Sequence, residues 1–184
     1  MLFRSVKNLV FRRNVIKAFT QDVRTKQVAC VVAQGNQDRT EEHEPILYED
    51  CTFISNICNI RFGDYYGVGS NHRFTRCELV KAGEDGRYTT FMYDNGYPSK
   101  YHVLTDCTFK NGASPTSVTW PDGKPENSQY SIAWTLTLTT APAAKVVVTD
   151  TQGQEVFSGA ADEQGKLAIP LKQFTVNRRD KMVH

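Results

Sequence analysis

One short phrase, written three times, constrains this chain more than any other feature. It reads Ile46-Leu-Tyr-Glu-Asp-Cys51-Thr-Phe, then His72-Arg-Phe-Thr-Arg-Cys77-Glu-Leu, then His102-Val-Leu-Thr-Asp-Cys107-Thr-Phe. Aligned on cysteine, the phrases form columns: Tyr48, Phe74 and Leu104 three residues before it, and Phe53, Leu79 and Phe109 two residues after. Leu9-Val-Phe-Arg-Arg-Asn14-Val-Ile16 fits the same frame with Asn14 in the cysteine column. The intervals are 37, 26 and 30 residues. A period of roughly 20 to 50 residues marks chains whose units stack, because one unit alone cannot bury its apolar face.

The units are β rather than α. Each offers a cysteine-column strand, a small corner, a second strand (Cys58–Phe62 or Tyr88–Tyr93) and a loop rich in Asp, Gly and Tyr, with no useful 3.6-residue apolar period. Residues 6 to 18 read as strand, and Gln27–Ala33 as a strand covered on both faces. Residues 113–130 change character, with three prolines and few β-branched side chains, and read as a linker that Trp120 docks onto the last coil. From residue 131 the pattern is an antiparallel meander: Ser131–Leu138 alternates, and Asp150–Gly153 and Asp162–Gly165 read as turns. The expected division is coils at 1–112, a linker at 113–130, and a small antiparallel module with a C-terminal tail at 131–184.

Composition excludes some functions. Twenty-two Lys and Arg against twenty Asp and Glu leave a net charge of +2, so there is no field to draw the whole chain to nucleic acid. The basic start, Arg4 to Lys17, resembles a transit peptide in composition, but Phe11, Asn14 and Ile16 belong to the repeat frame. No stretch approaches the ~18 uninterrupted apolar residues of a membrane span, and there is no secretory signal. Five cysteines without CxxC spacing argue against a zinc ribbon. Stacked in a column they act as small buried hydrophobes, although rungs ~4.8 Å apart make a disulfide between neighbours geometrically conceivable. Glu41-Glu-His-Glu44 reads as a solvated loop, since four ligands in direct succession converge poorly on one ion. No metal site is assigned from the sequence.

The Asp-Cys-Thr-Phe and Arg-Cys-Glu-Leu rungs with Asn- and Gly-rich corners resemble right-handed parallel β-helix repeats of the pectate-lyase-like group. The tail from Val146 to Leu171 resembles the small β-sandwich modules related to carboxypeptidase regulatory-like domains. Together they look like the C-terminal end of larger bacterial β-helix proteins. The resemblance implies an all-β fold: a short right-handed parallel β-helix of about four coils followed by a small antiparallel sandwich-like module. It implies a secreted or cell-surface setting, and a groove for polysaccharide worked by a lyase, with calcium and a basic proton acceptor, or by a hydrolase with paired carboxylates.

Asp64 and Asp94 occupy comparable loops on adjacent coils, where two carboxylates one rung apart can couple or share a cation. Tyr65, Tyr66, Tyr93 and Tyr97 beside them suit a sugar, whose apolar face stacks on a ring. The same segments also read as turns in which Asp and Gly serve the backbone and the tyrosines pack over corners. His72 and His102 share a column, as acid and base or as a stacked packing pair. Arg61 and Arg73 are candidates to meet uronate carboxylates, or ordinary solvent-facing strand residues. The expected function is a carbohydrate-binding or carbohydrate-processing protein, as polysaccharide lyase or glycoside hydrolase if catalytic. The alternative is a non-catalytic structural module that caps or oligomerises a β-helix through an open coil end.

Overall fold

The computed structural model describes residues 9–22, 28–33, 45–63, 69–84, 86–93, 99–120 and 128–179. These residues are all-β, with three parallel sheets that the chain visits in turn before returning to the first. The opening rung is β1 (Val10–Arg12), β2 (Val15–Ala18) and β3 (Val31–Ala33). The next is β4 (Ile46–Glu49), β5 (Thr52–Ser55) and β6 (Cys58–Phe62), followed by the short β7 (Gly69–Ser70). A third comprises β8 (His72–Thr75), β9 (Glu78–Lys81), β10 (Thr89–Tyr93) and β11 (Ser99–Lys100), and a fourth β12 (His102–Thr105), β13 (Thr108–Lys110) and β14 (Val118–Thr119). The tail adds β15 (Gln129–Thr139), β16 (Lys145–Thr149), β17 (Glu155–Ala160) and β18 (Lys166–Asn177).

Like strands of successive rungs pair in parallel. The sheets run β1-β4-β8-β12-β15-β18, β2-β5-β9-β13 and β3-β6-β10-β14, with β7-β11 a small fourth. The register superimposes the columns expected from the sequence: Phe11, Tyr48, Phe74 and Leu104 stand over one another, as do Ile16, Phe53, Leu79 and Phe109. Residues 6 to 18 were expected as one strand; the structure breaks them at Arg13 and Asn14 into β1 and β2, because the chain must turn from one sheet into the next.

That corner recurs. The residue before the cysteine column has positive φ in every rung: Arg13 at 57°, Asp50 at 54°, Arg76 at 51° and Asp106 at 54°. One left-handed residue reverses the side-chain alternation and swings the strand direction, so the next column also faces inward. A second corner of the same kind, Asn71 at 59° and Tyr101 at 64°, precedes His72 and His102.

The interior is filled by these columns. Tyr48 stacks on Phe74 at 4.6 Å and on Phe11 at 5.1 Å, both with nearly parallel rings, and Phe53 meets Phe74 edge-on at 6.0 Å. Phe53, Phe74, Leu79 and Leu104 are wholly excluded from solvent. From the third sheet, Phe62 and Tyr93 continue the stack, and Trp120 lies on Tyr93 of the third rung at 4.4 Å, where the last coil was expected to hold it. Outside, short ion pairs bridge rungs: Arg76 to Asp50 at 2.7 Å, Arg12 to Glu49 at 2.7 Å, and Lys110 to Glu78.

Residues 113–130 do more than link. They carry β14, which pairs with β10, and Tyr130 to Ala133 of β15 form one further parallel strand beside β12. Past a register shift at Ile132/Ala133, β15 continues beyond the stack, paired antiparallel with β18 to Thr139. The β16–β17 hairpin is joined by the Asp150 turn and followed by the Asp162 turn. Each of those aspartates accepts two backbone N–H bonds. Gly165, at φ 73°, closes the second turn against the Thr140 carbonyl, where a Cβ would lie 2.0 Å from oxygen.

Candidate functional site

The two Asp- and Tyr-bearing loops are held at both ends by paired strands. Before them Phe62 is in register with Tyr93, and after them Gly69 with Ser99 and Ser70 with Lys100. The loop bases therefore sit one rung apart on the same side of the stack. Asp64, Tyr65, Tyr66, Asp94 and Tyr97 lie outside the described residues.

Tyr93 is different from the expectation that it stacks on a sugar. It is 3% exposed, with its ring between Trp120 and Phe62, so it has no free face for a solute. Inward alternation from Thr89 through Phe91 places it in the core. Its hydroxyl has no hydrogen-bond partner among the described residues, and burial pushes its pKa well up.

His72 and His102 do share a column, and it points inward. His102 is fully buried, stacked on Phe62 at 4.2 Å, and His72 is buried beside Tyr48 at 6.0 Å. The backbone N–H of His72 donates to Nδ1 of His102 at 3.3 Å. Nε2 of His102 must then carry the proton, which it donates to the Ser99 hydroxyl at 2.7 Å. The Ser99 N–H in turn donates to the Ser128 hydroxyl at 3.1 Å. Burial first, and then the neighbouring His72 and Arg73, hold the His102 pKa well below 6.5. A serine hydroxyl 2.7 Å from an imidazole has the geometry of a nucleophile and its base. Ser99 and His102 are both fully buried, however. Burial counts against the acid–base role expected of His72 and His102; they and the two serines tie β8, β11, β12 and the entry to β15 together as a buried polar ladder.

Arg61 and Arg73 are half-buried and sit on different sheets, Arg61 between Val32 and Met92, Arg73 between Leu47 and Val103. Asn59, Ser99 and Ser128 are buried polar residues that the sequence reading passed over. The Asn59 amide donates to the carbonyls of Phe53 at 2.9 Å and Val80 at 3.1 Å, and its oxygen accepts from Tyr88, so it bridges two rungs. A lone Asn inside Cys58-Asn-Ile-Arg-Phe62, an otherwise apolar strand but for Arg61, was the available signal.

Among the described residues no group of three or more His, Cys, Asp or Glu could hold a metal ion, so the calcium that the resemblance implies has no ligand set there. No helix of the described residues is long and apolar enough to cross a membrane. No family model, curated protein or solved structure matches this chain.

Proposed function

We propose that this chain is a segment of right-handed parallel β-helix acting as a non-catalytic structural and interaction module. The observation that carries this reading is where apolar surface is left open. The inward-facing residues of the inner rungs are sealed, whereas Phe11 and Ile16 of the first rung, in the same columns, are only half-buried. Val10, Val15 and Phe19 beside them are 41%, 63% and 55% exposed. Among the described residues the other exposed large apolar side chains, apart from Tyr101, are Trp134, Leu136, Val147 and Val156 in the tail. Strand edges and half-covered columns at the end of a stack favour another sheet edge, and a second copy of this chain supplies one.

The test is mass by light scattering across a concentration series. The expected result is association that Val15→Lys with Phe19→Lys reduces to monomer. A strict monomer at every concentration would overturn the end-pairing reading.

A second reading, binding of a polysaccharide through Asp64, Asp94, Tyr65, Tyr66 and Tyr97 with Arg61 and Arg73 at the margins, is favoured by the in-register bases of the two loops. Glycan-array binding that Asp64→Ala and Asp94→Ala each weaken is its expected signature. Absence of binding to every glycan, or binding indifferent to both changes, would remove it.

A further inference from the structure

Of the three strands in the first rung, β2 presents the longest edge, four residues against three in β1 and β3. The Thr52 N–H donates to the Asn14 carbonyl at 2.8 Å, and the Asn56 side-chain amide holds the Thr20 N–H at 3.1 Å and the Thr20 carbonyl at 2.7 Å. Residues 14, 16, 18 and 20 therefore bond towards β5. Because backbone groups alternate sides along a strand, Val15, Lys17 and Phe19 turn their N–H and C=O groups the other way, where no described strand lies. Side chains alternate as well: Val15 and Phe19 are 63% and 55% exposed, while Ile16 and Ala18 face inward and are half-buried. The opposite end of the first sheet is guarded. Thr135 directs its N–H away from β18 to Asp106, so its partner Pro170 turns a nitrogen without a hydrogen to the outer edge of β18, a strand that also carries Lys166 and Lys172. Proline and lysine on an outer strand block further pairing.

We infer, resting on the end-pairing reading above, that the partner at the first rung is a second copy bound through β2 antiparallel to β2, about a two-fold axis at Lys17. A two-fold axis perpendicular to that sheet keeps inner faces inner and sets the open-side residues opposite one another: Val15 against Phe19 of the second copy, and Lys17 against its own counterpart. Ile16 then lies against Ala18 of the second copy, which joins the two interiors. The same register carries the basic corner of each copy, Arg12 and Arg13, alongside Gln21 and Asp22 of the other. An axis at Ile16 would instead set Val15 on Lys17 and Phe19 on Arg13, and an axis at Ala18 would set Lys17 on Phe19 and Val15 on Gln21. The axis at Lys17 joins the two exposed apolar residues and costs one contact between like charges. The assembly closes at two copies, because each uses its first rung and the guarded β18 edge does not receive a third.

The experiment places a cysteine on the axis. Lys17→Cys is combined with Cys30→Ser, since Cys30 is half-buried and the other four native thiols are buried, and the full chain is mildly oxidised and sized without reductant. Light scattering of the unaltered chain is expected to reach the mass of two copies and stop there. The Lys17→Cys chain should become a covalent dimer, because Cα atoms about 5.5 Å apart across a hydrogen-bonded antiparallel pair lie inside the ~4.4–6.8 Å that a disulfide spans. Cys30→Ser alone should not cross-link, and in the same background Val15→Cys chains should cross-link to Phe19→Cys chains. Lys17→Gln should tighten the dimer about two- to fivefold by removing the like-charge contact. A chain that is monomeric at every concentration would remove end pairing altogether, and this register with it. A dimer that cross-links through Val10→Cys and not through Lys17→Cys would keep end pairing and overturn the axis on β2. Masses that grow past two copies would overturn the closed arrangement.

Discussion

At four places the chain reaches the end of a strand in the first sheet and turns; at the fifth it runs straight on. The backbone approaches all of these points alike. Arg13, Asp50 and Arg76 donate N–H bonds to Glu49, Thr75 and Thr105 at 2.9 to 3.0 Å, and Asp106 donates to Ala133 at 3.0 Å. Trp134 stands where the corner residue of the next rung would be, and Thr135 where the cysteine would be. There the Asp106 carboxylate accepts from the Thr135 N–H at 2.7 Å and the Thr135 hydroxyl at 2.5 Å. Strand β18 pairs along the whole length of β15 and covers its outer edge. The difference teaches that winding is a local choice, renewed at each corner by one left-handed residue, and that it stops where an antiparallel partner rewards straight backbone instead.

The largest test contrasts the sealed stack with the tail. Phe74→Ala, which empties an interior site between Tyr48 and Phe53, is expected to cost about 3–5 kcal/mol in denaturant unfolding. Leu136→Ala, on the exposed ribbon, is expected to cost under about 1 kcal/mol. Equal losses would mean that stack and tail do not differ in this way. Next, Asp106→Ala should cost about 1–3 kcal/mol by leaving Thr135 without its carboxylate, and an unchanged denaturation midpoint would show that β15 straightens without it.

A third test uses pH. His102 has a folded-state pKa depressed from 6.5, so its contribution is complete above that value and is lost as pH falls below it. Unfolding free energy should drop by up to about 1.4 kcal/mol per pH unit from one such group as pH falls below 6.5. The slope should flatten in His102→Gln, and a slope that the variant leaves intact would point to other groups. The smallest effect is at the first corner. Arg13→Gly should raise stability by about 0.5 kcal/mol, since glycine takes positive φ without a Cβ clash at the cost of some chain entropy; a loss in thermal unfolding would contradict that account of the corner.

Much of the stack was legible in residue columns because parallel in-register pairing repeats the same environment on each rung. The Tyr48–Phe74–Leu104 and Phe53–Leu79–Phe109 alignments needed only the cysteine frame. Strand β14 was hidden because Val118–Thr119 is two residues in a stretch that also holds proline, and only β10 makes it a strand. The candidate site was less legible. Asp64 and Asp94 were matched as counterparts from loop position alone and lie outside the described residues, while the inward direction of Tyr93, His72 and His102 was not legible, because alternation gives two faces and does not name the interior one. Ser99 and Ser128 had no signal at all until His102 was placed beside them.

The sequence by itself determined the rung: its period, its β character and the residues that share a column. These follow from side-chain volume and backbone preference within a few residues. Tertiary structure alone decided which face is inside, where the winding stops and which apolar residues remain open, because each depends on what a strand meets from another rung. Ile16 and Phe53 belong to one column, yet one is half-buried and the other sealed, and only the neighbouring rungs make the difference.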